Sequence, residues 1–152
     1  MENQLCEYLI FQLGDIYFAF SAEQSSEIIA AKRITPLPKM PDFFCGVMNL
    51  RGDLHPAADL RLKLDMDYLE DTKDTVFILV NVKTGTDVYE AALRVDKVID
   101  VDTIQKNDFI DADPENLSAP PEFLLGSFLY NDRAVYVLNP DILLSPQELG
   151  LI

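Results

Sequence analysis

The sequence predicts an all-β protein built from two similar subdomains of about five strands each. Runs of aromatic and branched residues recur along the 152-residue chain and are separated by short turn signals. No segment sustains four turns of amphipathic helix. Related residues also recur at an offset of 80 positions, which is typical of an internal repeat.

Three hairpins are predicted from alternating apolar runs that flank turn residues. Gly14-Asp15 and Asn131-Asp132 both supply residues that tolerate positive φ, as tight hairpin turns require. The strand pairs are 7–13 with 16–20, 75–82 with 88–95, and 123–130 with 133–138.

A proline-flanked segment separates the first hairpin from a further strand. Pro36, Pro38 and Pro41 predict an extended crossing that cannot join a central ladder. The apolar run 43–48 follows as a strand, and the residues 49–53 predict a turn with glycine and asparagine at positive φ.

Three short helices are predicted from capping residues. Residues 21–29 begin with Ser21 as N-cap and have Gln24 at the capping-box position. Residues 59–64 begin with Asp59, although the alternating leucines of this segment fit a strand equally well. Residues 139–144 begin with an asparagine cap and have proline at the first helical position.

The repeat divides the chain into two halves. An F-x-x-G pattern ends at Gly46 and again at Gly126, and a capping residue follows at Asp59 and again at Asn139. These pairs share the 80-residue offset. Each half therefore closes with a strand, a turn, a second strand and a short helix.

A second correspondence precedes those strands. Residues 22–28 and residues 95–101 each end in an acidic residue followed by a branched one. We predict approximate subdomains 7–64 and 75–145, joined by an exposed acidic connection at 65–74.

The charge distribution excludes some partners and suggests others. The net charge of −14 argues against binding to nucleic acid or to an anionic membrane surface. Residues 30–64 carry a local charge of +3, whereas residues 65–122 carry −10. This basic island is explained either by chance or by a docking surface for an acidic partner.

The cysteines and the N-terminus predict a cytoplasmic protein without membrane insertion. The start of the chain lacks a secretory signal, and no apolar run is long enough to span a bilayer. Cys6 and Cys45 are the only cysteines, and both are expected to be reduced. Cys45 lies in an apolar run and is expected to act as a small buried hydrophobe.

The sequence offers little for catalysis, so we expect neither an enzyme nor a bound metal or cofactor. His55 is the only histidine, and no G-x-S-x-G or phosphate-binding glycine motif occurs. The acidic run that starts at Asp65 lacks the glycine and the final glutamate of a calcium loop. The acidic segment 108–115 is likewise predicted to be a loop.

Two motifs carry a resemblance to a known family. The segment 46–52 reads G-V-M-N-L-R-G, and it is followed by P-A-A-D-L-R at 56–61. The second half contains V-D-K-V-I-D-V at 95–101. Together these motifs resemble the CheW family of chemotaxis coupling proteins. The resemblance covers a single domain at 7–145 and leaves 146–152 as a C-terminal tail.

The resemblance implies two SH3-like five-stranded β-barrel subdomains around a shared hydrophobic core, with strands free to cross between subdomains. It implies a non-enzymatic adaptor that binds the regulatory domain of a CheA-type histidine kinase and the hairpin tip of methyl-accepting chemoreceptors. Such an adaptor would lie at the inner face of the membrane through receptor complexes. The alternatives are the same role in a non-flagellar pathway, such as twitching motility, and a small β-barrel module that binds a nucleotide-like ligand.

The resemblance also implies the partner-binding residues. Arg51 and Glu27 are expected to affect coupling and are candidates to pair with one another. The alternative is that Arg51 only satisfies turn carbonyls and a carboxylate. Ile28, Val47 and Leu50 are expected either in the core or in the wall of a groove.

Four further residues of the motifs are expected to shape the backbone. Gly46, Asn49 and Gly52 are predicted turn or strand-shaping positions. Asp59 is predicted to be a helix cap or an interface residue. The sequence departs from the family pattern in the strand that follows the motif 46–52. There, His55, Ala57 and Ala58 make the predicted partner surface slimmer and more polar.

Overall fold

A computed structural model describes residues 5–30, 34–110 and 121–144. The predicted tail 146–152 and most of the acidic segment 108–115 lie outside the described residues. The strands are β1 Leu5–Leu13, β2 Ile16–Ser21, β3 Ser25–Ala30, β4 Phe44–Leu50, β5 Asp53–Asp59, β6 Val76–Thr84, β7 Asp87–Val95, β8 Lys97–Gln105, β9 Leu124–Tyr130 and β10 Arg133–Leu138. Two short helices, α1 Leu60–Lys63 and α2 Pro140–Leu143, follow β5 and β10.

All three predicted hairpins are confirmed, and β4 with β5 forms a fourth. Gly14 turns the first hairpin with φ of 59°. Asn131 and Asp132 turn the last one with φ of 49° and 64°. These left-handed values explain why glycine, asparagine and aspartate occupy the turns.

The predicted helix at 21–29 is wrong, because residues from Ser25 onward form strand β3. Gln24 N–H donates to the Ser21 carbonyl, so the capping-type residues make a tight turn between strands instead. β3 then pairs with β6 and buries Ile29. Ladder hydrogen bonds and a branched apolar pair favour the strand over an isolated two-turn helix.

The other two helices are confirmed. Asp59 caps α1 by accepting from Leu62 N at 3.3 Å, so the alternative strand reading of this segment does not hold. Asn139 caps α2 in the same way by accepting from Asp141 N at 3.1 Å. Both caps have extended backbone dihedrals, as N-cap residues do.

The strands form two five-stranded sheets that exchange strands between the halves of the chain. The first sheet has the order β8-β1-β2-β10-β9, and the second has the order β3-β6-β7-β5-β4. Each sheet therefore combines a hairpin from one half with three strands from the other. Neither sheet therefore coincides with one of the predicted subdomains 7–64 and 75–145. The strands that flank the β1–β2 hairpin come from the second half of the chain, and those that flank the β6–β7 hairpin come from the first.

The repeat is visible as the same topology in both sheets. β10 runs parallel to β2 in the first sheet, as β5 runs parallel to β7 in the second. Gly46 and Gly126 both have positive φ next to a register shift. Asp59 N donates to the carbonyl of Phe43 at 2.7 Å, and Asn139 N donates to the equivalent carbonyl at 2.8 Å.

The two sheets pack on a shared hydrophobic core, as predicted. Phe11 and Phe18 of the first sheet belong to the same buried cluster as Ile78 and Leu93 of the second. Each sheet also has a smaller cluster of its own. Within the described residues, no ladder joins β3 to β4 or β8 to β9, so barrel closure of each sheet stays a prediction.

A buried ion pair anchors the connection between the halves. Arg94 Nη1 donates to Asp59 Oδ2 at 2.9 Å, and both side chains are almost fully buried. The same guanidinium donates to Asp71 Oδ1 at 3.0 Å from Nε and to the Leu69 carbonyl at 2.6 Å. The segment 65–74 is mostly exposed, as predicted, but Arg94 holds it against the second sheet.

Asp59→Asn should lower the free energy of unfolding by about 3 kcal/mol, because it leaves the charge of Arg94 poorly compensated in the interior. Asparagine retains the cap, as Asn139 shows at the equivalent position. The control Asn139→Ala removes a cap without touching a buried charge and should cost about 1 kcal/mol. Equal losses for the two variants in urea denaturation would contradict this account.

Gly46→Ala should destabilise the protein by more than about 3 kcal/mol. Gly46 has φ of 137°, and an added Cβ would lie 2.1 Å from the carbonyl oxygen of Thr35, a backbone atom. Gly85 has φ of 64° with nothing within 4 Å of an added Cβ, so Gly85→Ala should show only the cost of positive φ, about 1 kcal/mol. Similar unfolding midpoints for both variants would rule out the clash.

The thiol of Cys45 should react slowly in the folded protein, because burial raises the pKa of Cys45 to about 11 from 9.0. At pH 8 its thiolate fraction is then about 100-fold smaller than that of an ordinary thiol. Iodoacetamide labelling of a Cys6→Ser variant should accelerate up to about pH 11. Equal labelling rates in buffer and in denaturant at pH 8 would contradict the prediction.

Candidate protein-binding site

The turn between β4 and β5 projects the predicted motif residue Arg51 into solvent. Arg51 has φ of 52° and Gly52 has φ of 88°, so two successive residues adopt the left-handed conformation. Asn49 Oδ1 accepts from the N–H of Gly52 at 3.1 Å and bridges the turn. Asn49 and Gly52 therefore shape the backbone that presents Arg51.

Arg51 forms a two-pronged ion pair with Glu27 on β3. Nη2 lies 2.8 Å from Oε1, and Nη1 lies 3.1 Å from Oε2. The carboxylate of Glu27, by accepting these hydrogen bonds, raises the pKa of Arg51. Both described hydrogen bonds of Arg51 go to this carboxylate rather than to turn carbonyls.

The pair is exposed, so its contribution to stability is small. The Arg51 side chain is 70% exposed and that of Glu27 is 36% exposed. Exposed ion pairs contribute about 0–1 kcal/mol because water and salt screen them. An accessible guanidinium of defined geometry is suited to contact another protein.

The remaining predicted residues separate by burial. Ile28 is 48% exposed, whereas Leu50 is 3% exposed and belongs to the core of the second sheet. Val47 is half-buried. Gly46 and Asp59 are buried.

Ile28 lies in a groove between the two sheets. This groove, with a volume of about 240 Å³, is lined by residues of β1, β3 and β8 and of the turn that precedes β3. Its lining residues are Leu9, Ala22, Ser25, Ser26, Glu27, Ile28 and Val101. The sequence reasoning did not select Val101 as a site residue. The sequence does contain a signal for Val101. The segments 22–28 and 95–101 both end in an acidic residue followed by a branched one, so Val101 corresponds to Ile28.

The basic residues of the segment 30–64 differ in their surroundings. Arg61 is half-buried against Asp96, with Nε donating to Oδ1 at 2.8 Å. The ammonium of Lys63 lies 4.3 Å from the ring centre of Phe43. Lys32 and Arg33 lie outside the described residues. Lys39 and Arg51 are the exposed bases among the described residues of this segment.

His55 is half-buried on β5 opposite Met48, within a ladder. The described part of the chain contains no group of three His, Cys, Asp or Glu side chains arranged to hold a metal ion. Its helices are all too short or too polar to cross a bilayer.

Comparison with known proteins identifies the family. The model of the CheW-like domain matches residues 7–148. The chemotaxis protein CheW of Klebsiella aerogenes is 30% identical over 146 residues, which cover 96% of this chain and 86% of that protein. The protein FrzA of Myxococcus xanthus is 29% identical, covering 88% of this chain and 81% of FrzA.

A solved structure supports the fold independently. The crystal structure of the scaffolding protein TtCheW from Thermoanaerobacter tengcongensis superposes with a TM-score of 0.83 at 22% identity, covering 97% of this chain and 92% of TtCheW. The family match over nearly the whole chain agrees with the motif 46–52 and with the two-sheet fold. The chain therefore belongs to the CheW-like family.

Proposed function

We propose that this protein is a non-enzymatic adaptor that couples methyl-accepting chemoreceptors to a CheA-type histidine kinase. The observation that carries the proposal is the exposed Arg51–Glu27 pair, in which Arg51 belongs to the motif 46–52 and Glu27 lines the groove. An adaptor of this kind works by holding two partners at once, which requires surfaces rather than a catalytic centre.

The groove suits the helical hairpin tip of a receptor. Ile28 and Val101 expose about half of their apolar side chains there, and Leu9 forms a buried apolar part of the lining. Ser25, Ser26 and Glu27 supply a polar rim. An apolar floor with a polar rim is the surface that an amphipathic helix recognises.

The end of the second sheet that carries the β4–β5 and β6–β7 turns suits the kinase regulatory domain, which in this family has a related β fold. Leu54 is 66% exposed and Val88 is 58% exposed. Each is the second residue of its strand, and β5 runs parallel to β7, so both lie at the same end of the sheet. Exposed apolar side chains at one end of a sheet favour docking of another protein.

The pathway has two candidates. Several relatives are chemotaxis proteins, and FrzA is matched at a similar identity of 29%. We therefore retain a non-flagellar chemosensory pathway as the second candidate for the same adaptor role. In both pathways, the adaptor would act in the cytoplasm, at the inner face of the membrane through its receptors.

Arg51→Ala and Glu27→Ala should each weaken coupling about five- to thirtyfold, the range of a moderate interface hot spot. The measurement is receptor-dependent autophosphorylation of the kinase, together with affinity for a receptor hairpin-tip fragment. The free energy of unfolding should stay close to that of the wild type, because the pair is exposed. Arg133→Ala is the matched control, since Arg133 is an exposed arginine at the corresponding hairpin of the first sheet.

Two results would contradict the proposal. One is a wild-type protein that binds neither the kinase regulatory domain nor a receptor tip at micromolar concentrations. The other is a loss of several kcal/mol in unfolding free energy for Arg51→Ala, which would make the pair a structural element instead.

A further inference from the structure

A cavity of about 320 Å³ opens at the end of the second sheet opposite the β4–β5 turn. Four strands of this sheet, β4 to β7, contribute to its lining with Phe44, Cys45, Asp59, Phe77 and Arg94. Phe44 and Phe77 are buried, so the cavity has an apolar wall. Its described lining has no residue in common with that of the groove, so the two sites are separate.

The two halves of the chain differ at one position beside this cavity. Ile34 precedes a residue whose N–H donates to the Val47 carbonyl, and Phe109 precedes one whose N–H donates to the carbonyl of Ser127, 80 positions later. The ring of Phe109 covers Gly126, where an added Cβ would lie 2.6 Å from it. Its counterpart Ile34 lines the cavity instead. The open space of the second sheet therefore lies beside a smaller side chain, and the repeated backbone does not by itself require it.

The lining carries more negative than positive charge. Its acids are Asp42, Asp59 and Asp71, and its base is Arg94. Because Arg94 bonds both Asp59 and Asp71, these three groups together retain one negative charge, and the exposed Asp42 adds a second. The thiol of Cys45 lies in the same field, since its pKa is raised first by burial and then by Asp59, with Arg94 acting in the opposite sense.

The connection 65–74 supplies an aromatic wall of the cavity. Tyr68 lines it and is 59% exposed, and the guanidinium carbon of Arg94 lies 5.1 Å from the centre of its ring. Arg94 also donates to the Leu69 carbonyl, which holds the connection beside the cavity. The side chain of Asp71 is 62% exposed, so a ligand can reach its carboxylate. An aromatic ring beside accessible carboxylates suits an ammonium group, which is attracted to both.

We propose that this cavity binds a small organic amine with an aromatic or aliphatic body. The ammonium group would lie beside Asp42 and Asp71, and the body would pack against Phe44 and Phe77. The volume is at the lower end of the range for small-molecule sites, so the ligand is compact. The phosphates of a nucleotide-like ligand would meet the same carboxylates and be repelled, so the cavity disfavours that ligand class.

The test uses benzylamine as the probe and follows the amide chemical shifts of the isotope-labelled full chain at neutral pH. The amides of Cys45 and Phe77 should shift saturably, with a dissociation constant on the order of 1 mM for so small a ligand. The amides of Ile28 and Val101 in the groove should not shift. Benzyl alcohol has the same body without the charge and should bind at least about fivefold more weakly, and benzoate should cause no saturable shift.

A pair of variants tests the charge of the lining. Asp42→Asn should weaken benzylamine binding about two- to fivefold, because it removes one exposed carboxylate from the cavity. Asp53→Asn is the matched control, since Asp53 is an exposed acid at the opposite end of the same sheet. It changes the net charge equally and should leave the affinity unaltered.

A second pair of variants tests the open space. Ile34→Phe places in the cavity the side chain that the first sheet has at the equivalent position, and it should weaken benzylamine binding at least about tenfold. Ile34→Val keeps the cavity open and should bind the probe like the wild type. Both variants should bind the kinase regulatory domain normally, which also shows that they are folded.

The outcomes separate this proposal from the adaptor function. Absence of saturable shifts with benzylamine would overturn the cavity proposal and leave the adaptor function standing, because the adaptor surfaces do not include this cavity. Equal affinities for benzylamine and benzyl alcohol, or equal effects of Asp42→Asn and Asp53→Asn, would overturn the amine as the ligand class. An unchanged affinity in Ile34→Phe would overturn the location of the site.

Discussion

Strand exchange between the two halves is the constraint on which the other features of this protein depend. The hairpin β1–β2 is completed by β8, β9 and β10, and the hairpin β6–β7 is completed by β3, β4 and β5. Neither half can bury its apolar faces alone, because the shared core draws on both sheets. Asp96 also links the two sheets. Its carboxylate accepts hydrogen bonds from Arg61 beside the second sheet and from the N–H of Gly14 in a turn of the first.

The exchange also creates the groove. Ile28 and Val101 are 73 positions apart in sequence, yet they line one groove because β3 and β8 are equivalent edge strands of two packed sheets. A duplicated β unit thus places equivalent edge strands on the two sides of one groove. The halves differ in the group that bonds the edge-strand acid, which is Arg51 in the second sheet and Tyr130 in the first.

Burial divides the arginines of these ion pairs into two sets. Arg94 is buried and Arg61 is half-buried, and both are held by carboxylates and by carbonyls of the connection 65–74, so they stabilise the fold. Arg51 is held only by an exposed carboxylate and remains accessible. The described bases of the segment 30–64 therefore lie in different environments, and the role of this segment as a docking surface stays a prediction.

The sequence by itself determined the local structure. Turn residues, caps and the recurring glycines correctly predicted the hairpins, α2 and the repeat, since these features depend on interactions among neighbouring residues. For the segment 59–64 they left helix and strand open, and the structure forms helix α1. The family resemblance also predicted the pairing of Arg51 with Glu27. Only the tertiary structure decided that 25–30 is a strand, that the halves exchange strands, and that Ile28 is exposed while Leu50 is buried. Those outcomes depend on long-range pairing and packing, which local patterns do not encode.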